Sequence, residues 1–283
     1  MNGGERIRAA LEHREPDKVP LDLGGTSVTG IAASALYDLK TALGLSEEDE
    51  PVKVVDPYQM LGEVTDEVRE ALGVDTVPIA GSKNFYGFEN KDWKPWELFD
   101  GTPVLVPGLF NTEPDENGEI YQYPQGDTSV PPCAKMPEDG YYFDSIIRQP
   151  PIDDEELEPE DNLQEFGPIP EEELEYLKDE VARRQADDGR ALVGQFADTG
   201  FGDIALIPGP GVKHPRGIRD VEEWYVSTLT RREYVREVFT RQCDIALANL
   251  EKVHDEVGEA IDVLFITGTD FGTQKGPFVS PED

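Results

Sequence analysis

The sequence predicts an α/β fold of the (β/α)8 barrel type, carried through its N-terminal half, with an antiparallel β insertion. Three observations lead there. Short apolar runs alternate with amphipathic helical stretches, the pattern of βα units. The last run, IDVLFIT at 261–267, is almost continuously apolar, as in a parallel strand covered on both faces. Between 81 and 170 the pattern changes to prolines, glycines, aromatic pairs and short alternating runs, which reads as an insertion.

Residues 5–13 carry Ile7, Ala10 and Leu11 at helical spacing, and Pro16 closes that helix before the strand VPLDL at 19–23. Gly24 and Gly25 turn the chain into an amphipathic helix at 31–43, closed by Gly44. A second helix is expected over 59–72, ending on Gly73, followed by the strand VDTVPIA at 74–80. Within the insertion, VLVPG, EIYQYP and CAKMP read as strands of a small meander, with Glu116-Asn117-Gly118 as a turn. Trp93, Trp96, Tyr121, Tyr141, Tyr142 and Phe143 need partners to pack against, so the insertion is a folded part of one domain spanning 1–283. The acidic stretch 152–165 reads as a solvated loop. An acidic helix at 170–187, a strand at 191–196, a short helix at 221–225, one or two helices over 231–257 and the 261–267 strand follow. That makes four parallel strands where a closed barrel needs eight.

The charge balance narrows the partners. Sixty acids stand against 25 bases, a formal −35, with dense acidic runs at 47–50, 153–161 and 171–175. Nucleic acid and anionic membrane are poor partners for such a surface, since both are polyanions. The charge also fits a salt-rich cytoplasm, where repulsion is screened within a few ångströms. No stretch is long and apolar enough to span a bilayer, and no signal-peptide core is present at the N-terminus. Cys133 and Cys243 are far apart with no metal-type spacing, which suits a reduced, cytoplasmic protein.

Chemistry in α/β folds sits where strands end. There the sequence places Asp22 with Gly24, Gly25 and Thr26, then Gln195 and Asp198, then Asp270 with Gln274. The plain alternative for Asp22 is an acid that caps a neighbouring backbone turn.

The opening ERIRAALEHREPDKVPLDLGG resembles that of the uroporphyrinogen decarboxylase superfamily, in which a Glu/Arg-rich helix and a His-x-x-x-Pro-Asp-x-Val-Pro segment lead into the first barrel strand. VTGIAASALYDLKTALGL, WKPWELFDGTPVLVP, KMPEDGYYFDS and DFGTQKGPFVSPED are similar to one branch, the corrinoid-linked methyltransferases of anaerobic demethylating systems. The resemblance runs through the whole chain. It implies a barrel and a methyl group moved between a corrinoid protein and a small donor or acceptor: a thiol, a pterin or a methoxylated compound. It also implies Asp22 and Asp270 as catalytic acids, with Gly24, Gly25, Thr26, Gln195 and Gln274 around the substrate. The aromatic insertion would serve as a lid or as a dock for the corrinoid domain.

Departures matter as much. Decarboxylases of the superfamily carry an Arg-Gln-Ala-Gly-Arg loop whose arginines hold tetrapyrrole carboxylates. Here the loop reads Leu23-Gly24-Gly25-Thr26-Ser27, with no cation, while a polycarboxylate needs guanidinium forks. Relatives show two consecutive acids after the fourth strand, where this chain has Thr269-Asp270. The methyltransferase branch binds Zn²⁺ through a His-x-Cys motif and a later cysteine, and no such set occurs here. His13, His214, His254 and both cysteines read as ordinary surface or packing residues, so this chain alone is expected to bind no metal or corrinoid.

Ser280, Pro281 and Glu282 read as a helix start. The corresponding expectation is a fragment of a longer barrel, lacking about a hundred residues at barrel-typical lengths, with an aggregation-prone open edge. The alternative is a short protein that completes its sheet by dimerising. Two other functions stand beside methyl transfer: porphyrinogen decarboxylation in haem synthesis, and non-catalytic binding of a corrinoid or other ligand.

Overall fold

Asn2 opens the first helix, α1 (Gly3–Leu11), with a capping box: its side chain accepts the Glu5 amide and the Glu5 carboxylate accepts the Asn2 amide. The structure, a computed structural model, describes residues 1–46, 49–185 and 189–280. Arg6 is buried under α1 and joins Asp17 to Asp75, which anchors the helix below the parallel sheet. Helix α2 (Ala33–Leu43) ends where Gly44 takes a left-handed conformation, φ 68°.

The chain is α/β. Two strands come after α2, β1 (Val52–Asp56) and β2 (Leu61–Gly62), then α3 (Asp66–Leu72) and β3 (Thr76–Ala80). Residues 81–170 contribute β4 (Lys94–Glu97), β5 (Pro103–Val106), β6 (Ile120–Gln122), β7 (Ala134–Met136) and β8 (Asp144–Ser145). After them come α4 (Glu171–Gln185), β9 (Ala191–Gln195), α5 (Val221–Thr230) and α6 (Arg232–Val257). Strand β10 (Val263–Leu264) and the hairpin β11 (Gly272–Thr273) and β12 (Gly276–Pro277) end the described chain.

The parallel sheet has the order β10-β9-β3, with Thr76 opposite Ala191, Ala80 opposite Gln195 and Val263 opposite Val193. Helices α4 and α6 cover it, burying Val77, Ile79, Leu177, Val181, Leu192 and Val253 in one cluster. Among the described residues the strands fall into four separate sheets and close no barrel.

Residues 19–23 form no strand, contrary to the expectation from their apolar run. The Asp75 amide donates to the Leu21 carbonyl (2.8 Å), but the Asp75 carboxylate takes the Leu21 amide (2.9 Å) that a strand carbonyl would have taken. Pairing beside β3 therefore stops after one residue. Helix α3 starts at Asp66, not 59, because the Asp56 carboxylate accepts the Tyr58 and Gln59 amides and turns the chain back, so that β2 pairs with β1. Of 261–267 only Val263 and Leu264 pair, on one side, and both are half-exposed. The acidic stretch 152–165 is solvated only in part: a 3-10 turn at Pro159–Leu163 buries Asn162, which bonds both the amide and the carbonyl of Ile218.

Residues 81–170 are folded, in two pieces. Strand β5 pairs parallel with β1 and antiparallel with β4, whereas β6, β7 and β8 form their own meander. Tyr86, Phe88, Phe110 and Phe143 are the buried aromatics, and the Phe110 and Phe143 rings meet edge to face, 5.7 Å apart. Tyr141 and Tyr142 stay exposed. The expected helix start at Pro281 lies outside the described residues, as do residues 186 and 187 of the acidic helix and 47 and 48 of the first acidic run. No described helix is long and apolar enough to cross a membrane.

Candidate functional site at the sheet's C-terminal edge

Asp22 shapes the loop that starts beside the beginning of β3 and reaches the end of β9 at Ser27. Its Oδ1 accepts the Gly25 amide (3.0 Å) and the Thr76 hydroxyl (2.5 Å). The plain capping role is thus realised, and it ties the loop to the first residue of β3. Gly25 is required by this approach, since a Cβ there would lie 2.4 Å from Asp22 Oδ1. Gly24 supplies a left-handed φ of 74°. The Thr26 amide donates to Thr29 Oγ1 (3.2 Å), closing a short turn over Ser27–Thr29.

That turn delivers Ser27 to the end of β9. The Ser27 amide donates to Gln195 Oε1 and the Gln195 amide donates to Ser27 Oγ, each at 2.9 Å. Residues 168 apart in sequence are therefore clamped reciprocally, which brings Gln195 to the loop that begins at Asp22.

A second group lies on the same edge. Past β3, Gly81 donates weakly to the Gln195 carbonyl (3.4 Å). Ser82 donates its amide (2.8 Å) and hydroxyl (2.5 Å) to the two carboxylate oxygens of Glu173, in the first turn of α4. Past β9, Asn249 of α6 donates to the carbonyls of Asp198 and Gly167, each at 2.8 Å, fixing the Asp198 backbone. Burial, and then the negative charge of Glu173, push the Asp198 carboxyl above its ordinary range, while Lys83 opposes the shift. Ser82, Glu173 and Thr76 were missed from the sequence. The only signal was Gly81-Ser82 after an apolar strand, and Glu173 was hidden in a helix that looks uniformly solvated.

Asp270 and Gln274 lie beyond β10, on the segment that leads into and through the β11–β12 hairpin. Both are exposed on the segment leading through β11. Tyr225 Oη donates weakly to the Asp270 carbonyl (3.4 Å), and its ring lies 4.9 Å from that of Phe278. Among the described residues no hydrogen bond or ion pair links Asp270 or Gln274 to the Asp22 loop. Thr269 accepts the Ile204 amide (2.8 Å) and donates to the Gly202 carbonyl (2.9 Å).

The donor set does not fit zinc. Cys133 is buried in the insertion, donating to the Gln122 carbonyl (3.4 Å), with its thiol pushed up to about 12 by burial. Cys243 and exposed His254 lie on α6, while His13 comes after α1 and His214 sits on an exposed loop. Among the described residues no group of three or more potential ligands converges.

The chain matches no family model, no curated protein and no solved structure.

Proposed function

We propose that the chain is a uroporphyrinogen decarboxylase-type α/β protein whose parallel strands belong to a (β/α)8 barrel. In this reading residues 81–170 are an insertion in a single cytoplasmic domain. Its proposed reaction moves a methyl group between a protein-bound corrinoid and a small methylated donor or acceptor. The collinear sequence segments support the superfamily. The observation that carries the placement of the site is the reciprocal Ser27–Gln195 clamp, which holds the Asp22 loop over the C-terminal end of β9. In barrels that edge is where chemistry is done.

In this reading Asp22, Gly24, Gly25 and Thr26 form one wall of the proposed pocket, Asp270 and Gln274, on the segment after β10, the opposite one, with Gln195 a third contributor. Methyl transfer is favoured over porphyrinogen decarboxylation because the 23–27 loop carries no cation. Eight carboxylates brought to a −35 surface without guanidinium partners would be repelled. The corrinoid is a partner's cargo and enters as a substrate; zinc is assigned no residue.

Visible-spectrum titration with cobalamin, followed by methyl transfer from methylcobalamin to a thiol, tests the proposal. A spectral shift with turnover supports it. A shift without turnover supports a binding module instead. No shift, together with carbon dioxide release from uroporphyrinogen, returns the chain to the decarboxylases.

A further inference from the structure

A cavity of about 300 Å³ opens at the start of β1, in the β2-β1-β5-β4 sheet and not in the sheet that carries the candidate site. That volume lies at the lower end of the range for small-molecule sites. Four charged side chains line it: Lys40 from the last turn of α2, Glu50 just before β1, Lys53 on β1 and Glu63 after β2. Pro51, Val52 and Leu105 supply an apolar wall, and the parallel pairing of β1 with β5 sets Leu105 beside Lys53.

Lys40 is the member that needs a partner. Its side chain is 8% exposed, and among the described residues its ammonium has one acceptor, Glu50 Oε1 at 3.0 Å. An ammonium has three donors, and leaving donors of a buried charge unfilled is costly. An acceptor bound in the cavity would fill them. Lys53 is held by Glu63 Oε2 at 3.5 Å and lies 5.3 Å from the centre of the Trp93 ring. Glu50, Lys53 and Glu63 are open to solvent, so they can turn to a ligand without stranding a buried charge. The balance of charge then selects the ligand. A simple anion would meet both glutamates, and a simple cation both lysines. A molecule that carries one charge of each sign gains a partner for each.

We infer that this cavity binds a small zwitterion, an α-amino acid with an aliphatic side chain. Its carboxylate fills the spare donors of Lys40, its ammonium meets the glutamates, and its side chain lies on the Pro51, Val52 and Leu105 wall. The site does not depend on the methyl-transfer reading.

Equilibrium dialysis of the full chain against L-leucine tests the inference. Two analogues accompany it: 4-methylpentanoate, which lacks the ammonium, and 3-methylbutylamine, which lacks the carboxylate. Leucine should be retained, and each analogue should bind at least tenfold more weakly, the loss of one hydrogen-bonded charge. Lys40→Met should weaken leucine by a similar factor while 3-methylbutylamine binds no more weakly than before. Glu63→Gln, at a position open to solvent, tests the ammonium end independently of how well the methionine variant folds. It should weaken leucine and the amine and leave 4-methylpentanoate unchanged. No retention of leucine, equal retention of leucine and 4-methylpentanoate, or leucine binding unchanged in a folded variant overturns the inference.

Discussion

Replacing Arg219 by methionine should cost about 3 kcal/mol, toward the lower end of the range for breaking a buried ion pair. The guanidinium is fully buried. It donates to the carbonyls of Arg216 (2.6 Å) and Asp161 (2.7 Å), to Gln164 Oε1 (3.2 Å) and to both Glu165 oxygens (2.7 and 3.2 Å). Hydrogen bonds to charged groups contribute about 1.5–3 kcal/mol each when measured singly, and they do not add. The Glu165 side chain is 20% exposed, so water can reach the stranded carboxylate, which sets the cost near the lower end. Adding Glu165→Gln to the methionine variant removes that charge and should recover about 1 kcal/mol. Urea unfolding monitored by far-UV circular dichroism measures both values, with an unchanged slope confirming that only the folded state is affected. A loss below about 1 kcal/mol, within the ordinary spread of substitutions, would refute the claim that Arg219 locks the 207–217 loop to the 159–165 turn.

Gln195→Ala should free the Ser27 amide and accelerate its hydrogen exchange at least tenfold, about 1.4 kcal/mol of local opening; unchanged exchange would show that the clamp holds nothing. Gly25→Ala places a methyl on Asp22 Oδ1, so Asp22 must release the Gly25 amide, and a melting temperature equal to that of the unmodified chain would contradict this geometry. Cys133, whose folded-state thiol lies near 12 against an ordinary 9.0, favours the protonated form. Its contribution to stability is complete below pH 9.0 and is lost as pH rises toward 12. In native protein at about pH 8, below the ordinary thiol range, iodoacetamide should alkylate Cys243 well before Cys133, and equal rates would mean that the insertion opens readily. Raising NaCl from about 0.1 to about 2 M should raise the urea midpoint, because the Debye length falls from about 10 Å to under about 3 Å; a falling midpoint would rule out surface repulsion as the dominant charge effect.

Apolar periodicity located the elements that pack on both sides. Strands β3 and β9 and helices α4 and α6 were legible because their buried residues recur at the period of the element they form. What escaped was decided by single side chains. Asp75 ends the pairing of 19–23 after one residue, and Asp56 turns a stretch of helical pattern back into the β1–β2 pair. Each is a carboxylate taking a backbone amide, a contact that depends on where another segment lies. The candidate site divides the same way. Asp22, the glycines and Gln195 were visible because they end apolar runs. Glu173 was not, because its partner Ser82 lies 91 residues away and it is one of three consecutive glutamates in the first turn of its helix.

The excess of acid and the interior of this protein are connected. Among the described residues the buried charged side chains are Arg6, Lys40, Arg69 and Arg219 on one side and Asp75 alone on the other. Cations with long stems can carry their charge inward while their methylenes pack against apolar neighbours, and carboxylates on short stems cannot. The scarce bases are thus drawn into joints: Arg6 between α1 and the Asp75 segment, Lys40 against Glu50, Arg219 under the 207–217 loop. The surface left behind is therefore somewhat more acidic than the composition alone suggests. Salt should therefore act on two populations differently. Screening relieves repulsion among exposed acids, where ions reach freely, and leaves the buried joints nearly untouched, because mobile ions do not enter them. The same division is seen at the candidate site, where the Glu173 carboxylate is held by the Ser82 amide and hydroxyl rather than by a cation.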